Sequence, residues 1–177
     1  MSAIPRPRGP EPEVLARLDQ LRSTDPVTGL PGRTRTEHLL EVAVWTARSG
    51  DTALGVLAVE LTGMDAVAGR FGRPAADDVL RAAAQRVRGR LRHGDLVGRL
   101  GPARFAVAVP GLAPSGAARE TARIAGTLAD AVGAPFVVAG EQVVLGVRVG
   151  TALCPSDAGD VADLLALAAS GETGVRR

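Results

Sequence analysis

The side chains able to do chemistry in this 177-residue chain are arginines and carboxylates, since all 21 of its Lys+Arg positions are arginine. Arg92-His93-Gly94-Asp95 is an R-x-x-D. A guanidinium can fork onto an anion such as phosphate, and the aspartate can accept from N–H groups. The same residues also fit a simpler picture. Arginine occurs about every eight positions, and those at 81, 86, 88, 90 and 92 suit a solvated helix face, with Asp95 capping the next turn. Glu60 closes an apolar run, where its single carboxylate could meet a cation. His93 and Asp95 lack the placed nucleophile a catalytic pair would need. His38 reads as helix surface, Cys154 as a small buried residue, and Trp45 as packing on the core or on an N-terminal helix.

The elements that must position these groups follow from periodicity. Residues 1–12 hold four prolines and read as a flexible tail, and 13–22 as a short helix with Val14, Leu18 and Leu21 on one face. The domain proper is expected over 23–170, followed by a tail at 171–177. After a turn-rich stretch at 23–33, a helix is expected from about Thr36 to Arg48, buried through Leu39, Leu40, Val42, Ala43 and Ala47. The apolar run 53–61 predicts a central strand covered on both faces. Helices follow near 65–70 and 75–91, with Asp77 and Asp78 in the first turn of the second. A hairpin at 96–100 and 104–110 turns at Gly101-Pro102. Then come a helix at 115–132 capped by Ser115, a second hairpin pairing 135–140 with 142–153, and a helix at 161–169. This order predicts an α/β (α+β) fold, a central mixed sheet of about five strands flanked by helices.

Composition narrows the function classes. The net charge is +2, and the single cysteine excludes a disulfide framework. No apolar run is long enough to cross a bilayer, and the N-terminus has no secretory h-region. A cytoplasmic setting without membrane contact is expected. The arginines at 81–104 have no interleaved aromatics, which argues against nucleic acid.

Four strings in order resemble the GGDEF domain of diguanylate cyclases: DPVTGLPGR (25–33), GRFGRPAADDVL (69–80), DLVGRLGPARFAVAVP (95–110) and GVRVGTALCPSDAGD (146–160). The resemblance implies the cyclase palm fold and a reaction in which two GTP, clamped by Mg²⁺, are joined into cyclic di-GMP. It also marks departures. The signature turn reads Gly101-Pro102-Ala103-Arg104-Phe105, with Ala103 at the metal-binding acid and Arg104 at the second acid. Asp65 stands at the phosphate-contacting lysine and Ala68 at the guanine-reading asparagine, while Asp77 keeps the partner aspartate. Of the terminal cation motif only Arg176 remains. Arg92 and Asp95 lie where the family binds cyclic di-GMP as an inhibitor, with Arg119 and Arg123 as candidates for a further arginine.

The expectation from these residues is a catalytically inactive member, not an enzyme and without a cofactor, serving as a signalling and regulatory module. One version is a cyclic di-GMP receptor acting through Arg92, Asp95, Arg119 and Arg123. Another is a purely structural dimerisation or protein-interaction domain, with self-association through 13–22. The alternative is an active or residually active diguanylate cyclase, joining two GTP into cyclic di-GMP, keeping Glu60 and Asp77 as its nucleotide pocket and using Mg²⁺.

Overall fold

A computed structural model describes residues 23–171 and the backbone of 175–176. The helix expected at 13–22 lies outside the described residues. The elements run α1 (Arg33–Ser49), β1 (Ala53–Thr62), α2 (Met64–Phe71), α3 (Arg73–Arg88), β2 (Leu96–Gly101), β3 (Arg104–Leu112), α4 (Ala117–Gly133), β4 (Phe136–Val138), β5 (Glu141–Val143), β6 (Gly146–Cys154), α5 (Val161–Ser170) and β7 (Val175–Arg176).

The main sheet has five strands in the order β2-β3-β1-β6-β7. The expected five strands with flanking helices are present, but every pairing is antiparallel rather than mixed. The helical crossovers do return the chain in parallel, from β1 to β2 and from β3 to β6. Each skips one place, and an antiparallel strand fills the gap, so no two parallel strands touch.

β1 sits in the middle and is buried along almost its whole length. Its alternate residues serve two cores. Leu57, Val59 and Leu61 join Phe105, Val107 and Val109 beneath α3 and α4. Leu54, Val56 and Ala58 join Ala106, Ala108 and Ala152 beneath α1 and α5. A strand with two covered faces needs apolar side chains at every position, which explains the continuous run.

The second face is lined by small residues, so its helices come close. A Cβ at Gly98 would strike the Thr36 side chain on α1, and one at Gly150 would strike the backbone carbonyls of Ala168 and Gly171 at the end of α5. α1 buries Thr36, Leu40, Ala43, Val44 and Ala47. Val42, expected inside, is exposed, and so is Trp45 at 70 %. The helix begins three residues earlier than its apolar stripe suggested, and the face is set by contact with Gly98.

Other expectations shift for local reasons. α3 starts at Arg73, with Pro74 in its first turn, so Asp77 and Asp78 fall in the second turn. α4 is opened by Gly116, with no side-chain cap from Ser115. The segment 134–145 does not extend β6: β4 and β5 form a separate two-stranded hairpin. Residues 175–176, read as tail, pair along β6 as an edge strand. Cys154 is buried, which pushes its thiol pKa up. Arg86 is no solvated residue. Its guanidinium donates to the carbonyls of Ala134 (2.5 Å) and Pro135 (2.7 Å) past the C-terminus of α4, where carbonyls lack helical partners, and it stacks 3.9 Å from the Phe136 ring centre.

Gly150→Ala should lower stability by about 1–3 kcal/mol, because backbone carbonyls cannot move aside as a side chain can. Urea unfolding checks this. Gly126→Ala, at a position with open space around it, is the control and should not destabilise.

Candidate functional site

The turn between β2 and β3 is held by a residue that neither strand pattern singles out. Arg99 donates through Nε to the Gly101 carbonyl (3.0 Å) and through Nη2 to the Pro102 carbonyl (2.6 Å). Its Nη1 reaches both carboxylate oxygens of Asp25 at 2.9 Å. Asp25 in turn accepts from the Thr28 amide (2.8 Å) and hydroxyl (2.7 Å), closing the tight loop before α1. The strings at 25–33 and 95–110 are thus parts of one clasp. The Leu61 amide donates to the Ala103 carbonyl at 2.9 Å, fixing the turn against β1. Arg99 and Asp25 side chains are only 13 % and 16 % exposed. Burial pushes the Asp25 carboxyl pKa up, but the hydrogen bonds from Thr28 and Arg99 outweigh it and hold the group below the ordinary carboxylate value.

Beside this turn the register places Glu60 directly across from Arg104 on β3 and from Arg148 on β6. Glu60 Oε1 lies 3.1 Å from Arg104 Nη2, and Oε2 lies 3.9 Å from Arg148 Nη1. Asp77 is half-buried on α3, and no hydrogen bond or ion pair joins it to Glu60. The structure therefore does not bring these two candidates together by direct contact. Asp65 and Ala68 stand on α2, Asp65 exposed and Ala68 packed partly against the core.

The Mg²⁺ implied by the resemblance does not fit these residues. Both oxygens of Glu60 face guanidinium groups, Ala103 offers no ligand, and among the described residues no three of His, Cys, Asp and Glu converge to hold a metal.

The R-x-x-D forms a closed unit. Asp95 accepts from the Arg92 amide and Nε, each at 3.0 Å, and its side chain is 3 % exposed. Arg92 Nη2 also donates to the Pro110 carbonyl at 2.6 Å, while its side chain stays 59 % exposed. Asp95 is thus the anchor that aims Arg92. On α4, Arg123 makes paired bonds to Glu120 at 2.9 and 2.7 Å. The Arg123 bonds lead in drawing the Glu120 pKa down against an opposing burial effect, with the positive charges of Arg123 and, last, Arg92 adding to it. The charge of Arg92 thus reaches Glu120 on α4. Arg119 is exposed one turn before Arg123 and makes no ion pair among the described residues. A cavity of about 520 Å³ opens beside Arg92, lined also by Leu39, Arg88, His93 and Val97.

The family model for the diguanylate cyclase GGDEF domain matches residues 22–171. The chain belongs to the GGDEF family. It is 36% identical over 142 residues to diguanylate cyclase TpbB of Pseudomonas aeruginosa, covering 80% of this chain and 32% of that protein. It is 31% identical over 140 residues to the bifunctional diguanylate cyclase/cyclic di-GMP phosphodiesterase MucR of the same organism, 79% of this chain and 20% of the relative. The chain thus spans a third or less of the length of these relatives. The solved GGDEF domain of TpbB superposes with a TM-score of 0.74 at 35% identity, over 81% of this chain and 82% of that one.

These relatives overturn one expectation, that the chain is not an enzyme. Proteins named diguanylate cyclases match four-fifths of it, and their family is an enzyme family. The expectation rested on altered side chains at the turn, at Asp65 and Ala68 and in the terminal motif, and those departures do not by themselves show inactivity. What those at the turn change is the charge at Glu60, while the backbone of the turn stays clasped.

The Arg99–Asp25 clasp gives a pH prediction. A carboxyl depressed by folding contributes stability that is complete above its unfolded pKa of about 3.9 and is lost as pH falls through the lower folded value. Asp25→Asn should cost on the order of 3 kcal/mol at neutral pH by leaving Arg99 partly unpaired. The difference between wild type and variant should shrink as the pH drops below about 3.9. Urea midpoints across that range measure it.

Proposed function

We propose that this GGDEF domain serves cyclic di-GMP signalling and that the cyclic dinucleotide itself binds at the α3–β2 loop. The observation that supports this is Arg92, anchored by a buried Asp95 yet well exposed, in the same field as Arg123 and Glu120 on α4. A pre-aimed guanidinium loses little freedom on binding and can fork onto phosphate or a guanine edge. Arg123 can exchange its partner Glu120 for the ligand, and Arg119 lies one turn away on the same helix. A cytoplasmic setting goes with this reading.

Synthesis of cyclic di-GMP from two GTP is the second reading, and the relatives favour it, because TpbB, MucR and DgcP all carry diguanylate cyclase in their names. Under this reading the product binds at the Arg92 loop, and Glu60 and Asp77 belong to the substrate side.

Titration calorimetry with cyclic di-GMP tests the first reading. Micromolar binding is expected, and Arg92→Ala should weaken it at least tenfold, the loss of one charge-assisted contact. No heat at high micromolar ligand would refute it. Incubating the full chain with GTP and Mg²⁺ and separating the products tests the second. Cyclic di-GMP should accumulate, and its absence at high enzyme concentration would remove that reading.

A further inference from the structure

Of the two places expected for Trp45, the core is excluded, because the indole stands 70 % exposed on the outward side of α1. It does not stand alone. Leu39, Val42 and Trp45 follow at three-residue steps and form one row along the helix surface, with Leu39 partly buried and Val42 54 % exposed. Large apolar side chains in a row, on a helix already packed through its opposite face, point to a further layer. A cleft of about 730 Å³ opens beside Trp45 between α1 and the start of α5, lined also by Glu41, Val44 and Val161. Arg48, on the same lining, donates to the Gly159 carbonyl at 3.0 Å.

We propose that residues 13–22 cover this row, lying antiparallel against α1 as the first arm of a helical hairpin. The chain direction supports it. Thr24 and Pro31 pair as an antiparallel bridge, and the Gly32 amide donates to the Ser23 carbonyl at 2.8 Å. The chain before Ser23 therefore starts back beside the chain after Gly32, which is α1. The lengths match as well. Val14 precedes Ser23 by nine residues and Val42 follows Arg33 by nine, so at 1.5 Å per helical residue each lies about 14 Å from the junction. Val14, Leu18 and Leu21 supply an apolar stripe, and ten residues of helix are too short to persist in water without a surface to pack on. The segment needs an apolar surface, and α1 presents one within its reach. This placement gives the segment to its own domain, not to a second copy, and it rests on neither reading of the nucleotide chemistry.

Trp45 is the chain's only tryptophan, so its fluorescence in the full chain reports the cover directly. Blue-shifted emission and slow acrylamide quenching are expected, both independent of protein concentration. Leu18→Ser and Leu21→Ser should each shift the emission to the red and raise the quenching constant severalfold, while Gln20→Ser, off the stripe, should change neither. Thermal melts confirm that each variant is folded. A nitroxide carried on Glu13→Cys should quench Trp45 more than one on Arg22→Cys, because the chain runs back along α1, and the native Cys154 is buried away from the label. Wild-type emission as red and as open to acrylamide as that of a free indole in water would overturn the proposal, and this measurement needs no variant. So would shielding of Trp45 that grows with concentration, which would give the surface to a second copy. Indifference to both leucine substitutions, or a nitroxide effect no stronger from 13 than from 22, would overturn it as well.

Discussion

One guanidinium, Arg99, organises the functional end of this domain. It satisfies two carbonyls of the β2–β3 turn and both oxygens of Asp25, and so joins segments 74 residues apart. Turn carbonyls and a mostly buried carboxylate would each be costly if left unpaired. One planar group with five donors resolves both needs in a fixed geometry. The turn therefore keeps its backbone path although Pro102, Ala103 and Arg104 stand at its tip.

That path matters because it sets what faces Glu60. The Leu61–Ala103 hydrogen bond seats the turn against β1, and the β1–β3 register then puts Arg104 opposite Glu60. On the other side β6 brings Arg148 to the same carboxylate. A position that reads as a candidate cation ligand in the chain becomes, in the fold, the centre of an arginine cluster. The two remaining arginines of note are held by different anchors. Arg92 is aimed by a buried aspartate, while Arg86 is absorbed by the carbonyls at the end of α4 and the ring of Phe136.

The sheet carries these groups on a scaffold whose two faces differ. The core under α3 and α4 holds the buried Ile and Phe and most of the buried Leu and Val, while half of the residues in the core under α1 and α5 are alanine. Small residues let α1 and α5 lie close, which is why Thr36 can touch the strand at Gly98 and why the end of α5 rests on Gly150.

The sequence alone determined the central buried strand, the helices on either side of it and the turn at Gly101-Pro102, because hydrophobic periodicity and turn chemistry are local properties of the chain. Its motif strings also carried the family. Only the tertiary structure decided that all strands pair antiparallel, since the skipped places in the crossovers cannot be read from element order. It alone showed that β4–β5 stands apart from β6, and that Trp45 faces outward while Thr36 is buried. The partners of Glu60, Arg92 and Arg99 were likewise settled by register and loop packing. Those pairings join residues far apart in the chain, and nothing in the local pattern around either partner specifies which distant charge it will meet.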